Sequence, residues 1–247
     1  IWRQRGVEIW RHVDAAYGGY FCALARHDDG ALEPRARSAL AGICRATSVT
    51  IDPHKLGYAP YACGAFLARD AEAYKVDPIK APYLERPDQA PDKWASTLEG
   101  SRSAAGAAAA WLTGRTVGYG PDGLGRVLLE GIEARKSFCG ELVKRARFVR
   151  PIAPADTNIL CFSLADRGEP LSVANQKTNR VFESFHQSPN FSVSKTTFSM
   201  SNYRRLIEAH VARYDSIADV DELTLLRCVF MNPFWSAKPL RKGLQGE

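Results

Sequence analysis

Ser48-Val49-Thr50-Ile51-Asp52-Pro53-His54-Lys55-Leu56-Gly57-Tyr58 reads as a short strand running directly into a turn bounded by proline and glycine. A lysine held in such a turn is a candidate nucleophile. Taken alone, Lys55 is equally an ordinary surface lysine. Upstream, Trp10-Arg11-His12-Val13-Asp14-Ala15 reads as a second short strand that ends on a charge, followed by the small residues Ala15-Ala16 and Gly18-Gly19. An aspartate at the C-terminal end of an apolar strand sits where open α/β sheets bind ligands. By itself Asp14 also suits a turn or a helix cap. Between the two strands, residues 34–45 read as a helix that starts at Pro34 and runs through Leu40 and Ile43. Strands alternating with helices predict an α/β sheet.

Farther along, Cys63-Gly64-Ala65-Phe66-Leu67 reads as a strand. Residues 76–93 hold Pro78, Pro82, Pro87 and Pro91 among charged residues and read as a long loop, a common place for function. Residues 101–113 are alanine-rich and helical, and Gly118–Gly123 break the chain. Leu124, Val127, Leu128, Ile132, Phe138 and Leu142 then follow helical spacing. Beyond about 148 the pattern predicts strands at 147–152 and 158–164, polar and weakly patterned sequence at 165–195, helices at 203–213 and 217–224, and a last strand at 226–231. The expected domains are 1–120, a connecting helix at 121–147, and a small α+β domain at 148–247.

The composition is that of an ordinary globular protein, with 45% hydrophobic and 24% charged residues. The net charge of +6 is scattered along the chain, which does not suggest a nucleic-acid footprint. Apolar runs fall short of the roughly 20 residues of a membrane span, and Ile1–Gly6 are followed by no apolar core of a secretory signal. The six cysteines are widely spaced, with no metal-ligand pattern. They are expected to be buried free thiols in a reducing cytoplasm, with no metal.

Asp14 and Lys55, each at a strand end, suggest one cofactor in particular. Pyridoxal phosphate needs a lysine for covalent attachment and a carboxylate against its ring nitrogen. The segments HVDAAYGG (12–19) and DPHKLGYAPYACGAFL (52–67) resemble the signatures of the group II pyridoxal-phosphate-dependent amino-acid decarboxylases. The resemblance continues through Thr97–Arg102 to Leu226–Pro233 and is poor over about 165–200. It implies the aspartate aminotransferase fold (fold type I): the C-terminal half of the large mixed-sheet domain, plus the small α+β domain. Asp14 would pair with the ring nitrogen, Ala16 would pack on the ring, and Lys55 would carry the cofactor. His54 and Asp52 would lie near the phosphate. Family members often have Asn or Ser where Asp52 stands, and an ionised aspartate cannot donate to phosphate. Ser101 would reach the phosphate of a neighbouring subunit's cofactor, since these enzymes are dimers; it also suits a helix N-cap.

Arg227 would clamp the substrate carboxylate with its bidentate fork, the alternative being an internal salt bridge. Tyr83, in Ala81-Pro82-Tyr83-Leu84, resembles the loop tyrosine that returns a proton to Cα after carbon dioxide leaves; as a plain loop residue it would only pack on the surface. Relatives with phenylalanine there tend to release an aldehyde, so Tyr83 favours the amine.

The expected activity is decarboxylation of an aromatic L-amino acid, tyrosine first. Glutamate or another acidic amino acid, an aldehyde synthase or lyase outcome, and an inactive structural subunit are the alternatives. The family carries a helical arm and half of the large domain before HVDAAYGG. Only Ile1–Arg11 precede His12 here. The expected assembly is therefore a homodimer or a complex with a separate N-terminal chain, and residues 1–247 alone are not expected to hold cofactor. No membrane or nucleic-acid partner is expected.

Overall fold

A computed structural model describes residues 3–25, 32–70, 103–189 and 193–235. The chain divides into two compact units, Ile1–Gly125 and Arg126–Glu247.

The first unit is built on a three-stranded sheet in the order β1 (His12–Asp14), β2 (Ser48–Ile51), β3 (Ala65–Ala68). β1 and β2 are parallel, with Asp14 opposite Thr50. β3 is antiparallel to β2, with Phe66 opposite Thr50. The sheet is therefore mixed. The parallel pair needs a crossover, which contains helix α1 (Pro34–Gly42). Proline at the start of α1 suits the first helical turn, where a backbone N–H has no partner in any case. A 3₁₀ turn at Ile43–Arg45 carries α1 to the edge of β2. Phe21, Leu24, Leu56 and Leu124 are buried. Helix α2 (Ala105–Thr116) begins after Ser103, whose hydroxyl accepts the Ala105 N–H.

The second unit is a four-stranded antiparallel sheet in the order β4 (Val149–Pro151), β5 (Ile159–Leu164), β7 (Glu222–Val229), β6 (Ser194–Ser199). Its strands alternate with period two. Leu160, Phe162, Leu164 and Leu226 join Ala134 of helix α3 (Arg126–Arg145) in one apolar cluster, flanked by Val181 and Phe182 of helix α4 (Leu171–His186). Leu223 and Leu225 join Met200 and Ile207 of helix α5 (Met200–Arg213) and Leu171 in another. The helix set apart from sequence as a connector is α3, and it lies in this second unit.

Two local expectations differ from the structure. Residues 165–195 hold a full helix, α4, whose inward face mixes apolar residues with polar side chains that bond the sheet. Thr178 Oγ1 accepts the Leu164 N–H at 3.0 Å, Asn175 Oδ1 accepts the Thr224 N–H at 2.7 Å, and Asn175 Nδ2 donates to Glu222 O. The helix expected at 217–224 is absent. Its second half is the start of β7, where Leu223 and Leu225 are buried and pair across to Phe198 and Thr196. The cysteines also depart from expectation. All six are free, but only Cys63 is buried; Cys44 is exposed on the turn after α1, and the other four are half-buried.

Candidate active site

Because β1 and β2 run parallel and side by side, the residues that follow them leave the sheet at the same edge. Asp14 closes β1, and the lysine turn opens directly after β2. Two backbone bonds join the segments: Ala15 N–H donates to Thr50 O at 2.9 Å, and Asp52 N–H donates to Ala16 O at 3.1 Å. The two sequence signatures are thus one structural site, with Ala16 between the charged residues. Asp14 is exposed, and its Oδ1 accepts the Ala16 N–H at 3.1 Å. Its other oxygen has no partner among the described residues.

The lysine turn is held by its own backbone and by what lies beneath it. Lys55 N–H donates to Asp52 O, Tyr58 N–H to Lys55 O, and Ala59 N–H to Pro53 O. Tyr58 takes a left-handed φ of 54°, a strained conformation for a residue of its size. A Cβ on Gly57 would lie 2.7 Å from Pro53 O and 2.8 Å from Tyr20 Cζ, so only glycine closes this turn. Tyr20 sits below it, its hydroxyl pKa pushed up by burial and then by Tyr119, whose ring is 5.4 Å away. Gly57→Ala is expected to force the turn off its support at a cost of about 1–3 kcal/mol. Differential scanning calorimetry against wild type would read this as a lowered unfolding midpoint.

Three side chains gather at the turn. Lys55 Nζ lies 2.8 Å from Asp52 Oδ2, and His54 Nε2 lies 3.8 Å from the same oxygen. His54 Nδ1 donates to Cys63 O at 2.6 Å, and its ring lies 4.3 Å from that of Tyr61. The carbonyl accepts only, so Nδ1 carries a proton and Nε2 turns toward Asp52. Tyr20 as a support, and Cys63 and Tyr61 as the orienters of His54, carry no signal in the sequence. A backbone carbonyl has no signature in a sequence, and Tyr20 is a support only because Gly57 lets the turn descend on it.

The donor set fits part of pyridoxal phosphate. A primary amine one-third exposed, an exposed carboxylate on the neighbouring strand end, and a small residue between them suit its attachment point, its ring nitrogen and its flat ring. At the phosphate end, His54 spends its Nδ1 proton on Cys63 O. Asp52 is committed to Lys55. Ser101 and Tyr83 lie outside the described residues.

Arg227 stands on β7, in the second unit, opposite Cys161 of β5 and Ser194 of β6. It is exposed, its Nε donates to Ser194 Oγ at 3.0 Å, and that hydroxyl donates to Arg227 O at 2.8 Å. No carboxylate pairs with it among the described residues, so the internal salt bridge is not found there.

Residues 3–165 match the family described as the pyridoxal-dependent decarboxylase conserved domain. The chain belongs to the pyridoxal-dependent decarboxylase family. Among curated relatives, the L-tyrosine decarboxylase of Enterococcus faecium is 29% identical over 276 residues, spanning 94% of this chain and 45% of that protein. The probable L-tyrosine/L-aspartate decarboxylase of Methanothermobacter thermautotrophicus is 39% identical over 104 residues, 42% of this chain and 26% of that protein. Among solved structures, Oryza sativa TDC with PLP and tryptamine superposes with a TM-score of 0.66 at 19% identity, over 97% of this chain and 45% of that one. This likeness shows the fold, a pyridoxal-dependent decarboxylase fold of mixed α/β type. The chain spans about half the length of the relatives it matches along most of its length. The cofactor of the family is pyridoxal phosphate.

Proposed function

We propose that this chain is the lysine-bearing part of an enzyme that decarboxylates an L-amino acid, with tyrosine as the favoured substrate. The observation that carries the reading is the shared sheet edge of Asp14 and Lys55. Family membership supports the reaction class, and the naming of the Enterococcus relative supports the aromatic substrate. When bound, pyridoxal phosphate supplies the electron sink for the charge left on Cα as carbon dioxide departs.

The residues of the chain divide the remaining work. Lys55 would hold the cofactor through Nζ. Asp14 holds a proton on the ring nitrogen by opposite-charge stabilisation. Arg227 binds the substrate carboxylate, its Nε braced by Ser194. Tyr83 returns a proton to Cα, a role assigned on sequence resemblance alone. A phosphate contact from Ser101 and a homodimeric or two-chain assembly rest on the same ground.

An acidic substrate is the second reading, favoured by the printed name of the Methanothermobacter relative. The two are separated by offering the complete protein L-tyrosine and L-aspartate and measuring released carbon dioxide and amine. Tyramine formation supports the first reading, β-alanine formation the second, and an aldehyde product contradicts the role given to Tyr83. Arg227→Met is expected to raise KM about 10- to 100-fold, the scale of losing a charge-assisted pair, with a smaller change in kcat. Steady-state kinetics on the amine-forming reaction would check it; an unchanged KM would leave Arg227 without this role.

A further inference from the structure

Asp52 was expected near the phosphate, yet its carboxylate faces two basic side chains. Its Oδ2 lies 2.8 Å from Lys55 Nζ and 3.8 Å from His54 Nε2. The carboxylate is also the less exposed partner, at 15% against 33% for the lysine. The Asp52 backbone is anchored on both sides, its N–H by Ala16 O and its carbonyl by the Lys55 N–H. His54 is fixed beside it by Cys63 O and Tyr61. An ionised carboxylate has no proton to offer a phosphate and repels it, while it attracts an ammonium group.

We infer that Asp52 is the positioning residue of Lys55, the group that holds its free amine at the sheet edge whenever that amine is not attached to the cofactor. The inference rests on the reading of Lys55 as the attachment lysine. Its physical content is simple. Held 2.8 Å from a carboxylate, the amine at the end of a long side chain is kept in one place. Without the carboxylate the amine is freer and meets external reagents more readily. A pair this exposed is worth little, so the effect is modest, about 2- to 5-fold.

The test uses the complete protein freed of cofactor. It is given a short pulse of acetic anhydride, and acetylation is measured by peptide mass spectrometry at Lys55, Lys136 and Lys144. The last two pair with Glu133 and Glu141 in the other unit and serve as internal references. Asp52→Asn is expected to raise the ratio of Lys55 labelling to the references about 2- to 5-fold, and Asp52→Glu to return it toward wild type. A ratio unchanged in Asp52→Asn, or raised equally in both variants, overturns the inference. Added pyridoxal phosphate should protect Lys55 in wild type and in both variants. Loss of protection in wild type would defeat the attachment reading, while the ratio would still judge Asp52.

Discussion

Lys55→Ala in the complete protein is expected to abolish covalent attachment of pyridoxal phosphate and to lower amine formation by at least about 10²–10⁴-fold, the range for losing one positioned proton-transfer group. Lys55 leaves the end of β2 beside the end of β1, and the backbone bond from Asp52 to Ala16 fixes the lysine turn to the Asp14 segment. The other lysines among the described residues lack this setting: Lys136 and Lys144 form exposed helical pairs, Lys177 is held by Asp166 and Glu169, and Lys195 donates to Asn179. Alanine removes the amine and leaves the turn's backbone bonds in place, so loss of fold does not explain the loss of attachment. Absorbance of the attached cofactor and amine production would be measured together. Attachment retained in Lys55→Ala would refute the assignment.

The second large effect concerns stability and pH. His210 of α5 is buried, its Nε2 lies 3.1 Å from Ser163 Oγ, and its Nδ1 has no partner among the described residues. Burial, followed by the nearby Arg213 and Arg150, pushes its pKa down to about 4 from 6.5. Above pH 6.5 the ring is neutral folded and unfolded, and pH does not matter to it. As pH falls from 6.5 to 4, the unfolded chain takes up a proton that the folded ring refuses. Stability therefore drops through that window and levels off below it. By pH 5 the loss is about 2 kcal/mol, or roughly 30-fold in the opening equilibrium. Hydrogen exchange of β5 and α5 at pH 7 and pH 5, corrected for intrinsic rates, would show it as reduced protection. His210→Gln, which keeps a hydrogen-bonding side chain and removes the titration, should flatten the difference. The carboxylates Asp166, Glu169 and Asp219 titrate alike in both proteins and cancel. An equal loss of protection in His210→Gln would show that His210 is not its source.

Much of the first unit is legible in the chain. Val49 and Ile51 on β2, and Val13 before Asp14, mark the strand ends, and the chemistry sits on those ends. The family resemblance then joins two segments that spacing alone leaves apart. The second unit is less legible where tertiary contacts override local pattern. Helix α4 buries Thr178 against Leu164 and spends Asn175 on β7, so polar residues interrupt its apolar inner face. The run before Leu226 looked helical, but pairing with β6 makes it a strand. At the site, Lys55, Asp14 and His54 are visible as residue types. The partnership of Asp52 with Lys55 is not, because an i,i+3 spacing in a turn says nothing of side-chain direction until the turn is closed by Gly57.

If Lys55 is the residue that carries the cofactor, reduction should fix the cofactor to it. The complete protein, purified with pyridoxal phosphate, would be reduced with sodium borohydride, digested and mapped by mass spectrometry. The account predicts one phosphopyridoxyl-modified peptide, spanning Asp52–Tyr58, with the added mass on Lys55. The added mass on any other lysine, or its absence from a protein that has retained the cofactor, would contradict it.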